Sequence, residues 1–239
     1  MQIINPDGDA SFLLLGDHAG KIIPKSLESL GLEELELNRH IGWDIGVGAL
    51  GASLAETLNA VFIRQTYSRL VFDCNRDPAR PDAVPAISDG TLIAGNANLS
   101  AADREARRRA IHAPYQAAIA DEIARREAEG RDTILIALHS FTPRMNAFDR
   151  PWDIGILHAG GDTSFAAALL AALRTHPDLV VGDNQPYVMD DVDHTIPVHA
   201  YPTRRLYAEI EIRQDHLTDP EGVARWSAIL AETLTAAAR

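Results

Sequence analysis

Two histidines stand at positions that are typical of catalytic or metal-binding side chains. His18 closely follows the apolar run 12–15, and His139 directly follows the apolar run 133–138. Both runs predict buried β-strands, and ligands of open α/β sheets bind beyond the carboxyl ends of the strands. We therefore expect both imidazoles at one edge of a sheet, where they can share one metal ion or one substrate.

The carboxylate that would complete such a site has three candidates. Two histidines and one carboxylate form a common catalytic zinc site that leaves a fourth position for water. Asp17 adjoins His18, but neighbouring strand residues point to opposite faces unless the chain turns there. Asp44 precedes a predicted helix, and Asp73 lies near a predicted strand end. Spacing alone leaves these alternatives open.

Glu211 is a candidate general base. It lies near the end of segment 206–212, whose alternation predicts a strand with Glu209 and Glu211 on one face. A carboxylate beside a metal-bound water can accept its proton. A salt bridge to Arg213, or an exposed position on the strand, would explain Glu211 equally well.

Asn75 and Arg76 could bind an anionic group. They follow the predicted strand 70–74 and open a long loop rich in Pro, Gly, Asp and Asn. An arginine binds a carboxylate with two parallel hydrogen bonds, and a neighbouring Asn adds a donor. A structural ion pair with a nearby aspartate is the alternative. His40 and His199 are weaker site candidates, because neither directly follows a strand pattern.

Composition excludes several classes of partner. The chain has 239 residues, 46% of them hydrophobic, and a net charge of −12, which predicts one domain over residues 1–239 with a sizeable core. Its basic residues form no stripe for nucleic acid or an anionic membrane, and no run reaches the ~18 apolar residues of a membrane span. The single cysteine, Cys74, and the lack of a signal-peptide pattern predict a cytoplasmic protein.

Strand and helix patterns alternate along the chain. The predicted strands are 12–15, 59–64, 70–74, 133–138, 153–158, 179–182 and 206–212. The predicted helices are 46–58, 100–130, 164–175 and 219–238, with a short helix or loop at 30–37 and a long loop at 76–100. This alternation predicts an α/β fold, a three-layer α/β/α domain of the phosphorylase/hydrolase-like type with a mixed, largely parallel sheet.

Six motifs, taken in order, resemble those of the N-formylglutamate amidohydrolase family. They are GDHAG with IP, HIGWDIG, SR with DCNRDP, LHSFTP, DNQPY and EIRQD, and they begin at residues 16, 40, 68, 138, 183 and 211. They span almost the whole chain. The resemblance implies a zinc-dependent hydrolase related in fold to zinc carboxypeptidases and aspartoacylase-like deacylases.

The resemblance also implies a role for individual residues. It makes His18, Asp44 and His139 the ligands of one Zn²⁺, although other divalent ions also suit this donor set. Glu211 becomes the general base, and Arg69 would polarise the scissile carbonyl. The implied substrate-binding residues are Asn75, Arg76, Asn184 and Tyr187.

The expected reaction is hydrolysis of the amide bond of an N-acyl amino acid that carries a carboxylate, in the first place N-formyl-L-glutamate. Three loops depart from the family pattern: Ala19 stands in place of Ser, no glycine occurs in 188–191, and 201–205 lacks the usual glycine. A related zinc deacylase or peptidase for another N-acyl amino acid or short peptide is therefore an alternative. A non-catalytic carboxylate-binding protein is a further one, which Glu211 disfavours. We expect a monomer or a homodimer.

Overall fold

A seven-stranded mixed sheet forms the centre of the computed structural model, which describes residues 1–239. Its strands are β1 (Gln2–Ile4), β2 (Phe12–Gly16), β3 (Val61–Arg64), β6 (Ile134–Phe141), β9 (Ile154–Leu157), β10 (Val181–Asp183) and β11 (Tyr207–Arg213), in the order β1-β3-β2-β6-β11-β9-β10. The four central strands β3, β2, β6 and β11 are parallel. β1 and β9 pair antiparallel with this group, and β10 is parallel to β9.

Helices cover both faces of the sheet. They are α1 (Glu34–Leu37), α2 (Val47–Leu58), α3 (Ala101–Arg107), α4 (Ala113–Ala128), α5 (Ser164–Leu173), α6 (Thr195–His199) and α7 (Pro220–Ala237). Buried residues of α2, α5 and α7 form one apolar cluster with the sheet, and those of α4 and the long loops form the other. Successive residues of β2 enter opposite clusters, because a central strand is buried on both faces. The predicted three-layer α/β fold is thus confirmed.

The sequence prediction of a strand at 70–74 is wrong. This segment is a buried loop without strand pairing, because a short apolar run alone does not separate a strand from other buried chain. Its carbonyl oxygens are satisfied by side chains instead of a neighbouring strand: Asn96 contacts Leu70, Arg107 contacts Val71, and Gln116 contacts Cys74.

Other elements differ from prediction mainly in their bounds. β6 continues to Phe141, so His139 lies inside the strand and not beyond its end. The predicted helix 100–130 begins as expected, with the Ser100 hydroxyl accepting from the Asp103 amide at 3.1 Å, but the π-helical segment Arg108–His112 interrupts it. The edge strand β1 was not predicted. Neither were two short hairpins, β4 (Ile87–Ser88) with β5 (Thr91–Leu92) and β7 (Arg144–Met145) with β8 (Phe148–Asp149).

None of the helices is both long enough and apolar enough to cross a bilayer.

Candidate active site

His18, Asp44 and His139 meet near the carboxyl ends of β2 and β6. One ligand atom of each residue lies within 4.8 Å of those of the other two. His139 Nδ1 is 2.8 Å from Asp44 Oδ2, and His18 Nδ1 is 3.5 Å from the same oxygen. All three side chains are buried. The group could therefore hold a metal ion.

Backbone contacts bring these three residues together from distant parts of the chain. β2 ends at Gly16, two residues before His18, whose carbonyl oxygen accepts from the amide of Asp44 at 2.9 Å. Gly46, with φ +84°, then lets the chain turn from Asp44 into α2. The local turn beyond β2 thus positions two members of the group, and β6 supplies the third.

The ring of His18 is oriented by Asp73. His18 Nε2 contacts Asp73 Oδ1 at 2.6 Å, while its Nδ1 has no hydrogen-bond partner and faces Asp44. A carboxylate behind a ligating histidine fixes the tautomer and makes the ring a better ligand. Asp73 therefore has the position of a supporting carboxylate and does not belong to the ligand group.

Asp17 has the same position behind His139. Its Oδ2 lies 3.5 Å from His139 Nε2, and its Oδ1 accepts from the Thr195 hydroxyl at 2.6 Å. The Asp17 side chain is fully buried. Of the three aspartates left open by the sequence, only Asp44 joins the two histidines, because Asp17 and Asp73 contact the outer nitrogens of the rings.

The electrostatics of the group favour a positive charge at its centre. Burial opposes ionisation of Asp44, yet His18 and His139 hold its pKa far below the ordinary range. Burial likewise opposes ionisation of Asp17, whose pKa is nonetheless lowered by His139. Burial opposes protonation of His139, but Asp17 and Asp44 raise its pKa well above the usual value. A cation, here a proton or a metal ion, is what this arrangement stabilises.

Glu211 lies beside the group on the neighbouring strand. β11 and β6 are parallel, and Glu211 pairs in register with His139. Glu211 is 7% exposed, its Oε2 has no hydrogen-bond partner, and burial raises its pKa. Arg213 instead contacts Asp153 and Asp215. The salt-bridge and exposed-strand alternatives for Glu211 therefore do not apply.

A cavity of about 590 Å³ opens above these residues. Strands β6 and β11 form its floor, and its walls come from the loop after Arg69, the β4–β5 region and the segment 186–193. Two arginines line it, Arg69 and Arg76. Its eight lining carboxylates are Asp44, Asp73, Asp82, Asp89, Asp190, Asp193, Glu209 and Glu211.

Arg69 connects the supporting carboxylate with the cavity. Its Nη2 and Nε donate to Asp73 Oδ2 at 2.8 and 3.1 Å. Its Nη1 lies 3.5 Å from Asp44 Oδ1, and a quarter of the side chain remains exposed. One edge of the guanidinium is thus used by the protein, and the other faces the site.

Asn75 and Arg76 line the cavity, but each also has a structural contact. Asn75 Oδ1 accepts from the amides of His194 and Thr195 at 3.0 and 2.9 Å, at the start of α6. Arg76 Nη1 is 4.0 Å from Asp193 and donates to the Asn75 carbonyl oxygen at 2.9 Å. Asn75 Nδ2 also donates to Asp193 Oδ1 at 3.4 Å, so a ligand would share this amide and the Arg76 guanidinium with Asp193.

Of the other two predicted substrate-binding residues, only Tyr187 lies at the cavity. Tyr187 lines the cavity, and its hydroxyl accepts from Arg150 at 3.0 Å. Asn184 is not among the lining residues; its Oδ1 accepts from the His158 amide at 2.9 Å at a backbone φ of +51°. Asn184 therefore shapes the turn that carries Tyr187.

The weaker histidine candidates do not join the metal group. His40 lines the cavity, with its Nε2 3.5 Å from Asp89. His199 contacts Gln116 at 2.7 Å in the interior. Sequence reasoning missed the support given by Thr195 and the position of Glu209 on the cavity floor. The alternation that places Glu209 on the face of Glu211 was visible in the sequence, whereas nothing local marked Thr195.

Comparison with known proteins gives the family. The model of the N-formylglutamate amidohydrolase family matches residues 10–218. The crystal structure of gene product Atu2144 from Agrobacterium tumefaciens has 36% sequence identity and a TM-score of 0.96, and the match covers 99% of this chain and 94% of that one.

A second solved structure, an N-formylglutamate amidohydrolase from Ralstonia eutropha JMP134, has 20% identity and a TM-score of 0.70, with 99% and 96% of the two chains covered. At that identity, the likeness shows the fold. No curated protein matches the chain. The family match covers most of the sequence, including every residue of the candidate metal group, and the chain belongs to the N-formylglutamate amidohydrolase family.

Proposed function

We propose that this protein is a zinc-dependent amidohydrolase that cleaves the amide bond of an N-acyl amino acid bearing a carboxylate. N-formylglutamate is the compound that the family's name gives. One observation carries the proposal. Two buried imidazole nitrogens and one carboxylate oxygen lie within 4.8 Å of one another, and Glu211 pairs in register with His139.

The residues fit a zinc ion in chemistry as well as in number. The free Nδ1 of His18 is an orphaned buried atom that faces the group, and two imidazoles with one carboxylate are a donor set that zinc favours. Both rings have a carboxylate behind them, as ligating histidines almost always do. Zinc bound there would polarise a carbonyl oxygen and lower the pKa of a bound water.

Glu211 is placed to move the proton. We assign it to accept a proton from the water that attacks the amide carbonyl and to return that proton to the departing nitrogen. Burial raises the pKa of Glu211, which makes its carboxylate a stronger base and its acid form a usable donor near neutral pH. The outward edge of Arg69 would hydrogen-bond the carbonyl oxygen as negative charge develops on it.

Arg76 and the Nδ2 of Asn75 would bind the substrate carboxylate. Both line the cavity on the same wall. Fixing the carboxylate there would hold the amide over the metal group, and such positioning lowers the barrier of the chemical step.

Glu211→Gln tests the general base. We expect unchanged zinc content by elemental analysis. On N-formyl-L-glutamate or a related N-formyl amino acid, kcat should fall about 10²- to 10⁴-fold, because the carboxamide of the glutamine side chain cannot accept the proton from water. Glu221→Gln, at an exposed position of α7, is the matched control and should keep full activity. Normal turnover in Glu211→Gln would remove it as the base.

Arg76→Ala tests carboxylate recognition. We expect KM for N-acyl amino acids to rise about 10- to 100-fold with a smaller change in kcat, because a charged hydrogen bond contributes about 1.5–3 kcal/mol. The matched control is Arg109→Ala, whose side chain is 69% exposed on the π-helical segment and does not line the cavity. An equal loss on the corresponding N-acyl amino acid amides, which lack the carboxylate charge, would argue against the role.

A further inference from the structure

Glu209 is a buried carboxylate that the proposed chemistry does not use. It lies two residues before Glu211 on β11, and side chains two residues apart on a strand point to the same face. Its register partners are Ala137 on β6 and Leu157 on β9. Glu209 therefore lies deeper in the cavity floor than the metal group, beside a residue with a small side chain.

The Glu209 side chain has no partner within the protein. It is 3% exposed, lines the cavity, and its Oε2 accepts no hydrogen bond. Burial of a carboxylate without a partner is unfavourable. A group that enters the cavity with hydrogen-bond donors would provide the missing partner.

The surrounding charges favour the same kind of ligand. Burial raises the pKa of Glu209, the charge of His139 opposes this rise, and Asp193, on the wall segment 186–193, adds to it. Both cavity arginines already contact carboxylates of the protein: Arg69 lies 2.8 Å from Asp73, and Arg76 lies 3.6 Å from Asp82. One substrate carboxylate can compete for Arg76, but a second would have no free cation.

The segment after Tyr187 makes this wall acidic. Residues 188–191 read Val-Met-Asp-Asp, where the family pattern suggests a glycine. The amide of Asp190 donates to Asp193 at 3.1 Å, and both side chains line the cavity. Asp190 therefore adds negative charge to this wall of the cavity.

We propose that Glu209 makes this enzyme prefer N-acyl amino acids whose side chain ends in a hydrogen-bond donor, a carboxamide or a cation, over those with a second carboxylate. This inference rests on the proposed function, and it deepens it by naming the substrate class. Glu209 would accept from the donor, while Arg76 would hold the α-carboxylate. N-formyl-L-glutamine and N-formyl-L-glutamate, nearly identical in shape, differ in the group that would reach Glu209.

The test measures binding without turnover. Burial raises the pKa of Glu209 to about 8, so binding is measured at about pH 9, where this side chain is ionised. In the zinc-loaded Glu211→Gln protein, calorimetry should then show N-formyl-L-glutamine bound at least about tenfold more tightly than N-formyl-L-glutamate, since like charges across a contact disfavour binding. In the Glu209→Gln/Glu211→Gln protein the ratio should fall below about threefold, because a carboxamide can face either group. Circular dichroism and zinc content check that each variant is folded and loaded.

The outcomes separate this inference from the proposed function. Equal or tighter binding of N-formyl-L-glutamate, binding of neither compound, or an unchanged ratio in the double variant overturns the role of Glu209. If the double variant does not fold, the two affinities in Glu211→Gln decide the preference. The proposed function fails on a different measurement, namely the absence of hydrolysis of N-formyl-L-alanine, N-formyl-L-glutamine and N-formyl-L-glutamate by the wild-type zinc-loaded protein.

Discussion

The two histidines of the candidate metal group are supported in different ways. Asp73, behind His18, also pairs with Arg69 and accepts from the amide of Asn75 at 2.9 Å. This support belongs to the cavity wall, since Arg69 and Asn75 both line the space for a substrate. Its negative charge is balanced by Arg69, which also lines the cavity.

Asp17, behind His139, has no cation of its own apart from that ring. The Thr195 hydroxyl donates to Asp17 at 2.6 Å, Gln116 Nε2 donates to Thr195 at 3.2 Å, and His199 contacts the other end of Gln116 at 2.7 Å. This support runs away from the cavity into the interior. A buried carboxylate that is held only by neutral donors depends on a cation at the metal group. His18 is thus supported from the cavity wall, and His139 is supported from the interior.

Loss of a ligand should have the largest effect on this arrangement. His139→Ala should weaken zinc binding by more than the roughly 10- to 100-fold expected for a supporting residue, and should abolish turnover, because it removes both a ligand and the partner of Asp17. Chelator competition and elemental analysis measure the loss. His158→Ala, on the partly exposed pair with Asp183, is the control. Full zinc occupancy in His139→Ala would take this residue out of the ligand group.

Loss of a supporting carboxylate should weaken zinc binding less than loss of a ligand, and the two supporting carboxylates should differ in their effect on kcat. Asp73→Asn and Asp17→Asn should each weaken zinc binding about 10- to 100-fold. Asp73→Asn should also lower kcat, because Arg69 loses its partner at 2.8 Å and can shift toward Asp44. Zinc titration and steady-state kinetics at saturating zinc separate the two effects. Identical kcat values at full zinc loading would show that Arg69 does not link support and catalysis.

His199, in the interior network behind Asp17, should make the free energy of unfolding modestly dependent on pH. Burial lowers the pKa of His199 from an ordinary 6.5 to about 4. The unfolded chain therefore binds a proton below pH 6.5 that the folded chain does not. Stability from this residue is complete above pH 6.5 and is lost as the pH falls toward 4.

Between pH 6.5 and 4, the free energy of unfolding of the zinc-free protein should fall by about 2 kcal/mol less in His199→Gln than in the wild type. Urea unfolding at several pH values measures this difference. His176→Gln, in the loop after α5, is the control and should follow the wild type. If the free energy of unfolding of His199→Gln falls with pH as steeply as that of the wild type, another group causes the loss of stability in acid.

Strand prediction succeeded where burial and periodicity agreed. β2 and β6 are buried along their whole length, and β11 places Glu209 and Glu211 on one face, as its alternation predicted. Segment 70–74 shows the limit of this reasoning. Its apolar side chains enter the core, but whether such a run forms a strand depends on a neighbouring strand that no local pattern reveals.

The motifs likewise predicted some cavity residues correctly and others wrongly. Asn184, which the family motif suggested as a substrate contact, instead holds the His158 amide and lies outside the cavity lining. A motif identifies residues that act together, but side chains within it can shape the turn or face the ligand. That choice depends on backbone angles, such as the φ of +51° at Asn184.

The sequence by itself determined the α/β class, the strands that carry His139 and Glu211, and the histidine beyond β2. These follow from local periodicity and from the order of short motifs. Only the tertiary structure decided that Asp17 and Asp73 lie behind the rings while Asp44 lies between them, because this depends on turns that join residues as far apart in sequence as Asp17 and His139. It alone also placed Glu209 without a partner on the cavity floor, since an unpaired charge is recognised only when all its neighbours are known.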